Sequence, residues 1–283
     1  MIKKIINHLA LAHLVLILIS CSNREQQDLS GFLSESENFS PITNSYFGPR
    51  PAIRIKPSVN DKIIIYLHGT ISPRITPNCY IHKIRIPRVI LELQNKNTHI
   101  YFLCSSATNL RSDLMDGGNY IYRRVEELKV VLLELQEAGM DPENIYLPGY
   151  SAGAWTSLIA NSVIEDHLFN GIIGLAPAFA GKRDTRSKSG RRSQLRNEQI
   201  LMIQKSTKLN ALIFAYDHDE YENTSDLSFL TSNPEWNLTF VNYDCEEGHR
   251  TPHSDCKFEE TLEFMKEYIG IPFDADTTYG QKL

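Results

Sequence analysis

The chain has 283 residues, 42% of them hydrophobic and 22% charged, with 15 glycines and 13 prolines. That is globular composition, and it argues against a collagen-like, disordered or multi-span membrane protein. A net charge of −5 disfavours general nucleic-acid binding, which needs a basic surface to neutralise phosphates.

Lys3 and Lys4 lead into an apolar stretch from Leu9 to Ile19, and Ser20 stands just before Cys21. A basic start, a short apolar run and a small residue describe an export signal over residues 1–20. The run is short of the about 20 apolar residues that a comfortable membrane span takes. Leu18-Ile19-Ser20-Cys21 resembles the lipobox of bacterial lipoproteins. The resemblance implies that the signal is removed, that Cys21 carries lipid, and that the protein is anchored in the cell envelope. Ser22 stands where members kept in the inner membrane often have Asp, which points to the outer membrane, facing the periplasm. Residues 21–50 are polar and rich in Ser, Asn and Glu, and read as a flexible tether. Such a tether reaches about 25–30 Å from its lipid. Residues 51–283 are expected to form one folded domain.

Lys62–Leu67 is a β-branched apolar run that stops at His68-Gly69, as a buried parallel strand would. Tyr80 to Gln94 has helical spacing, with Pro87 expected to kink the helix or delay its start. A strand at His99–Leu103 follows. Ile121, Val125, Leu128, Leu132 and Leu135 then form a helical stripe closed by Gly139. Further strands are expected at Asn144–Leu147, Gly171–Leu175, Ala211–Ala215 and Leu238–Val241, one helix beside Ser151 and another from about Lys257. Strands alternating with helices imply an α/β fold with a mostly parallel sheet covered on both faces.

Within this pattern Gly149-Tyr150-Ser151-Ala152-Gly153 places Gly-x-Ser-x-Gly between a strand and a helix. Three fixed positions of such common residues arise by chance about 0.1 times in a chain of this length, so the context carries the weight. A serine on a sharp strand-to-helix turn needs small neighbours; the turn exposes its hydroxyl and aims the next N–H, that of Ala152, at a developing oxyanion. With Asp141-Pro142-Glu143-Asn144-Ile145-Tyr146 before it, the segment resembles secreted esterases and prolyl-oligopeptidase-like enzymes of the α/β-hydrolase family, over roughly residues 57–270. The resemblance implies a three-layer fold, here with the early antiparallel strands reduced. It also implies a serine nucleophile, Ser151, and no cofactor. His68-Gly69-Thr70 matches the family's oxyanion loop, with the Thr70 N–H as second donor and His68 structural.

A serine hydroxyl is a weak nucleophile until a base takes its proton, and the base needs an orienting carboxylate. The family order is Ser, acid, His. Tyr216-Asp217-His218-Asp219-Glu220 supplies the acid; the resemblance favours Asp219, with Asp217 and then Glu220 as alternatives. Gly248-His249 lies where the family's base lies, and His253 is the alternative.

Export into an oxidising compartment makes disulfides plausible, and with Cys21 lipidated the preferred pairing is Cys245–Cys256 with Cys79–Cys104. Neither Cys-x-x-Cys nor a Cys/His cluster with zinc spacing occurs, so no metal is expected. Lys182, Arg183, Arg186, Lys188, Arg191, Arg192 and Arg196 face one acid between residues 181 and 196. The segment reads as a solvated mobile loop, or else as an attractor of acidic substrates or anionic headgroups. Trp155 reads as core. The expected activity is hydrolysis of a small-molecule carboxylic ester by a membrane-anchored enzyme. Peptide hydrolysis, acyl transfer or a non-catalytic binding scaffold are the competing readings.

Overall fold

The β-branched runs supply a single sheet. A computed structural model describes residues 30–33, 58–70, 83, 85–105, 107, 119–164, 168–179 and 181–272. Among these residues the strands are β1 (Gly31–Phe32), β2 (Lys62–Leu67), β3 (Thr98–Leu103), β4 (Ile145–Tyr150), β5 (Gly171–Leu175), β6 (Asn210–Tyr216) and β7 (Asn237–Tyr243). Their order across the sheet is β1-β3-β2-β4-β5-β6-β7. Strands β2 to β7 run parallel, and β1 alone is antiparallel, paired to β3.

Both faces of the sheet are dry, which is why β2 reads as an unbroken apolar run. Ile63, Ile65 and Leu67 point to one core, shared with α2 (Tyr120–Glu137), α3 (Ala152–Val163) and α5 (Gly190–Gln204). Ile64 and Tyr66 point to the other, shared with α1 (Arg88–Leu91) and α6 (Phe258–Ile269). A short helix α4 (Arg183–Ser187) precedes α5. Helices on both sides of a mostly parallel sheet make three layers, as the sequence implied. Strand β4 occupies the middle of the sheet, and the residue that follows it is Ser151.

One expectation needs correction. Residues 30–33 are not tether: Gly31-Phe32 extends the sheet, Leu33 is buried, and the Phe32 ring meets Tyr101 edge-on with centroids 5.2 Å apart. An apolar triplet in an otherwise polar stretch finds the free edge of β3, where backbone pairing and burial act together. Pro87 interrupts the helix expected from Tyr80 to Gln94, as anticipated: Lys83 is helical, residues 85–87 are not, and a short helix begins at Arg88 just after the proline. Pro87 disfavours helical backbone at the residue before it, and its fixed φ suits a helix start.

The Cys245 and Cys256 sulfurs are bonded, with Cα atoms 6.3 Å apart. Cys104 is likewise disulfide-bonded. Cys21, Cys79 and the export signal lie outside the described residues, among which no helix is long and apolar enough to cross a membrane.

Candidate active site

Strand β4 runs straight into α3 with a single residue, Ser151, at the turn. Its backbone sits at φ 56° and ψ −122°. That region is unfavourable for a residue with a Cβ, by about 1–3 kcal/mol, and persists only where the surroundings impose it. They do so here by contact. A Cβ on Gly149 would lie 2.4 Å from the Ala154 nitrogen, and one on Gly153 would lie 2.0 Å from the Leu67 carbonyl oxygen. The Ser151 N–H donates to the Leu175 carbonyl (3.0 Å), and its own carbonyl accepts from the N–H groups of Trp155 (3.1 Å) and Ala178 (3.2 Å). Ala152 is the first residue of α3, so its N–H belongs to the set that a helix leaves unpaired at its start.

Two loops from the ends of β6 and β7 meet this turn. His249 Nε2 lies 2.8 Å from Ser151 Oγ, and His249 Nδ1 lies 2.7 Å from Asp219 Oδ2. Asp219 is fully buried. Its other oxygen, Oδ1, accepts the N–H groups of Tyr221 (2.7 Å) and Glu222 (3.3 Å). A carboxylate so held is an acceptor, which places the imidazole proton on Nδ1 and leaves Nε2 to accept from the serine hydroxyl. The loops touch backbone to backbone: Gly248 has φ 54°, and a Cβ there would lie 2.4 Å from the His218 carbonyl oxygen. Tyr150 and Tyr221 flank the imidazole, with ring centroids 5.2 and 4.3 Å away, and the Tyr150 hydroxyl donates to the His249 carbonyl.

The alternative residues stand elsewhere. Asp217 is exposed and accepts from Asn242, and hydrogen bonds from Thr224 and Asn242 hold its carboxyl below the usual range. Glu220 pairs with Lys182 at 3.4 Å. His253 meets the Tyr150 ring edge-on at 4.7 Å; desolvation, then the charges of His249 and Arg85, push its pKa down to about 4. Of the His68-Gly69-Thr70 segment, Gly69 approaches the turn: a Cβ there would be 3.3 Å from Ser151 Cβ. His68 is buried, its Nδ1 donating to the Gly69 carbonyl and its Nε2 accepting the Ser105 N–H. Thr70 Oγ1 lies 3.2 Å from the Tyr120 hydroxyl. Among the described residues Cys245, Glu247 and Cys256 are close enough to suggest a cation site, but the two sulfurs are bonded to each other and offer no thiolate.

No protein-family model matches this sequence. No curated protein matches it either. Solved structures of similar fold include DcsB with its substrate analogue, at 16% identity, covering 75% of this chain and 90% of that one with a TM-score of 0.51. The monoacylglycerol lipase of Paleococcus ferrophilus matches at 11% identity over 74% of this chain and 95% of that one, with a TM-score of 0.52. Puromycin hydrolase matches at 14% identity and a TM-score of 0.54; 76% of this chain is covered but only 35% of that one. This chain has the α/β-hydrolase fold.

Within the α/β-hydrolase fold, the segment after β5 is where the basic run falls, and it is neither a loop nor merely solvated. Arg186 and Arg196 both grip the buried Glu222, with closest N···O distances of 2.6 Å. Arg183 pairs with Asp226 at 3.4 Å, and Arg196 also donates to the Asp226 carbonyl. Burial pushes the Glu222 carboxyl up, and the two guanidiniums oppose that. These contacts fold α4 and α5 onto the loop that carries Asp219. Trp155 is core, as expected: it is fully buried, donates to Gln199 Oε1 at 2.7 Å and packs against Phe179. Tyr150, Tyr221, Glu222 and the buried Arg124 of α2 are the surrounding residues that sequence reasoning did not single out.

Proposed function

We propose that the chain is a serine hydrolase acting on carboxylic esters, with Ser151 as nucleophile, His249 as base and Asp219 as the orienting acid. One observation carries this: an unbroken hydrogen-bonded run from Ser151 Oγ through His249 to a fully buried carboxylate, 2.8 and then 2.7 Å, at a strained strand-to-helix turn. Ser151 Oγ adds to the acyl carbon as its proton passes to His249 Nε2. The imidazolium is stabilised by Asp219. The Ala152 and Thr70 N–H groups receive the oxyanion. On collapse, His249 returns the proton to the departing alkoxide, and an acyl-serine remains. Water repeats the sequence with the same base, releasing the acid and restoring the hydroxyl. Amides could follow the same path, but an alkoxide is the easier leaving group, so ester cleavage is the reading adopted.

The test is a fluorophosphonate probe and a panel of nitrophenyl esters and anilides, applied to the full-length protein in detergent and to Ser151→Ala. The parent is expected to label and to turn over esters. Ser151→Ala is expected to do neither, with a fall on the order of 10⁴-fold or more. Retained turnover in the variant rejects the nucleophile. A folded parent that neither labels nor turns over any ester favours the binding scaffold. On the same footing we infer attachment to the bacterial envelope through lipidated Cys21, supported by Lys3, Lys4, the apolar stretch and the lipobox-like Leu-Ile-Ser-Cys. Metabolic labelling with an alkynyl fatty acid should mark the parent and leave Cys21→Ala unmarked.

A further inference from the structure

Arg124 is the cation whose burial most needs an explanation. It sits on α2, is 2% exposed, and sends all three of its nitrogens to main-chain oxygens. Nη1 donates to the His68 carbonyl at 2.7 Å, Nη2 to the Gly69 carbonyl at 3.2 Å, and Nε to the Ala107 carbonyl at 3.2 Å. Two of the three nitrogens are therefore spent on the loop that follows β2, and the third on the segment that follows β3. A buried charge is costly to desolvate, and a core position on a helix is more cheaply filled by a leucine or methionine.

We propose that Arg124, with His68, is a positioning residue that holds the Gly69–Thr70 peptide so that the Thr70 N–H faces the oxyanion. This role follows from peptide geometry and rests on the function proposed above. The Gly69 carbonyl and the Thr70 N–H belong to one planar, trans peptide unit and so point in opposite directions. Whatever pins the carbonyl aims the N–H. Arg124 Nη2 and His68 Nδ1 both donate to the Gly69 oxygen, at 3.2 and 2.7 Å, and so hold it against two buried side chains. The same logic applies one peptide earlier, where Nη1 on the His68 carbonyl aims the Gly69 N–H. If the 69–70 peptide turned over, a carbonyl oxygen would face the developing anion where a donor is needed. Two donors on one carbonyl make that inversion costly.

The tautomer of His68 belongs to the device. Its Nε2 accepts the Ser105 N–H, so the ring is neutral and its proton is on Nδ1, the atom that donates to Gly69. Ser105 in turn donates to Glu127, which lies one turn beyond Arg124 on α2. The loop is thus fixed to α2 along two routes, one through the guanidinium and one through the imidazole.

The experiment is steady-state kinetics on the full-length protein with Arg124→Lys, alongside Leu128→Ala as a control for a weakened α2. Lysine keeps the charge but cannot reach three carbonyls. Losing a donor to a developing oxyanion costs about 10²–10³ in kcat, so Arg124→Lys should fall about 100-fold in kcat with KM within about threefold. The acid limb of its pH profile should stay in place, because His249 and Asp219 are untouched. Leu128→Ala should lower Tm as much or more while moving kcat far less. A kcat within about threefold of the parent, or an equal loss in both variants, overturns the positioning role while leaving the proposed function intact. An inactive parent overturns both. Should Arg124→Lys fail to fold, the His68 pair decides. His68→Asn keeps a donor near the Nδ1 position and His68→Gln does not, so Gln should lose at least tenfold more kcat than Asn; equal losses count against the proposal.

Discussion

The Ser151 turn and the loop that carries Asp219 are held in place by different forces. Around Ser151 the restraint is steric: Gly149 and Gly153 have backbone within 2.4 and 2.0 Å of where a side chain would begin. Around Asp219 the restraint is polar. Its carboxylate takes two backbone N–H groups, and the next turn of chain is tied down by Arg186 and Arg196 on Glu222. Steric restraint resides in a few consecutive residues and admits no substitute. Polar restraint is spread over three elements and depends on charges cancelling far from water.

This contrast can be broken from either side. The largest effect is expected from Gly153→Ala, which forces a methyl into the Leu67 carbonyl; the turn must move, and turnover should vanish with a stability loss of about 4 kcal/mol or more in chemical denaturation. Gly149→Ala should behave likewise. Next comes Glu222→Gln, which leaves two buried guanidiniums facing a neutral amide. A loss of roughly 3 kcal/mol is expected, together with lowered kcat, because the Glu222 N–H is one of the two that hold Asp219. Reducing Cys245–Cys256, or replacing both with serine, frees an 11-residue span around His249 and should cost about 3 kcal/mol on the chain-entropy account, read as a lower Tm. Asp217→Asn is the smallest: an exposed carboxylate outside the hydrogen-bonded run should shift stability by about 0.5 kcal/mol or less and leave turnover within about twofold. A large loss at Asp217 would reverse the assignment of the acid.

The same contrast explains what the sequence could tell. Strands β2 and β5 are read to the residue, because an apolar run bounded by turn residues has one physical solution in a sheet covered on both faces. The turn is read from its two glycines. Asp219 could not be separated from Asp217 by spacing alone, since both follow β6 and only the backbone amides of Tyr221 and Glu222 choose between them. The run at residues 182–196 looked solvated because its counter-charges, Glu220, Glu222 and Asp226, are 26 to 43 residues further along. No local pattern reveals such a pairing. Arg124 did leave a trace: Ile121, Arg124, Val125 and Leu128 follow the i, i+3, i+4, i+7 spacing of a buried helix face, so a charge occupies a core position. A misplaced charge in an otherwise apolar stripe is a signal that a buried polar task exists, even when its partners are unseen.

Among the described residues strand β4 has three strands on either side of it, whereas β7 is paired on one side only and is largely open to solvent. Backbone amides near Ser151 are therefore expected to exchange with solvent later than those of β7 itself, which hydrogen exchange would read directly. Between that edge and the serine stand the Tyr150 hydroxyl on the His249 carbonyl and the Cys245–Cys256 bond, so fraying of β7 has to break through both before it can part His249 from Ser151.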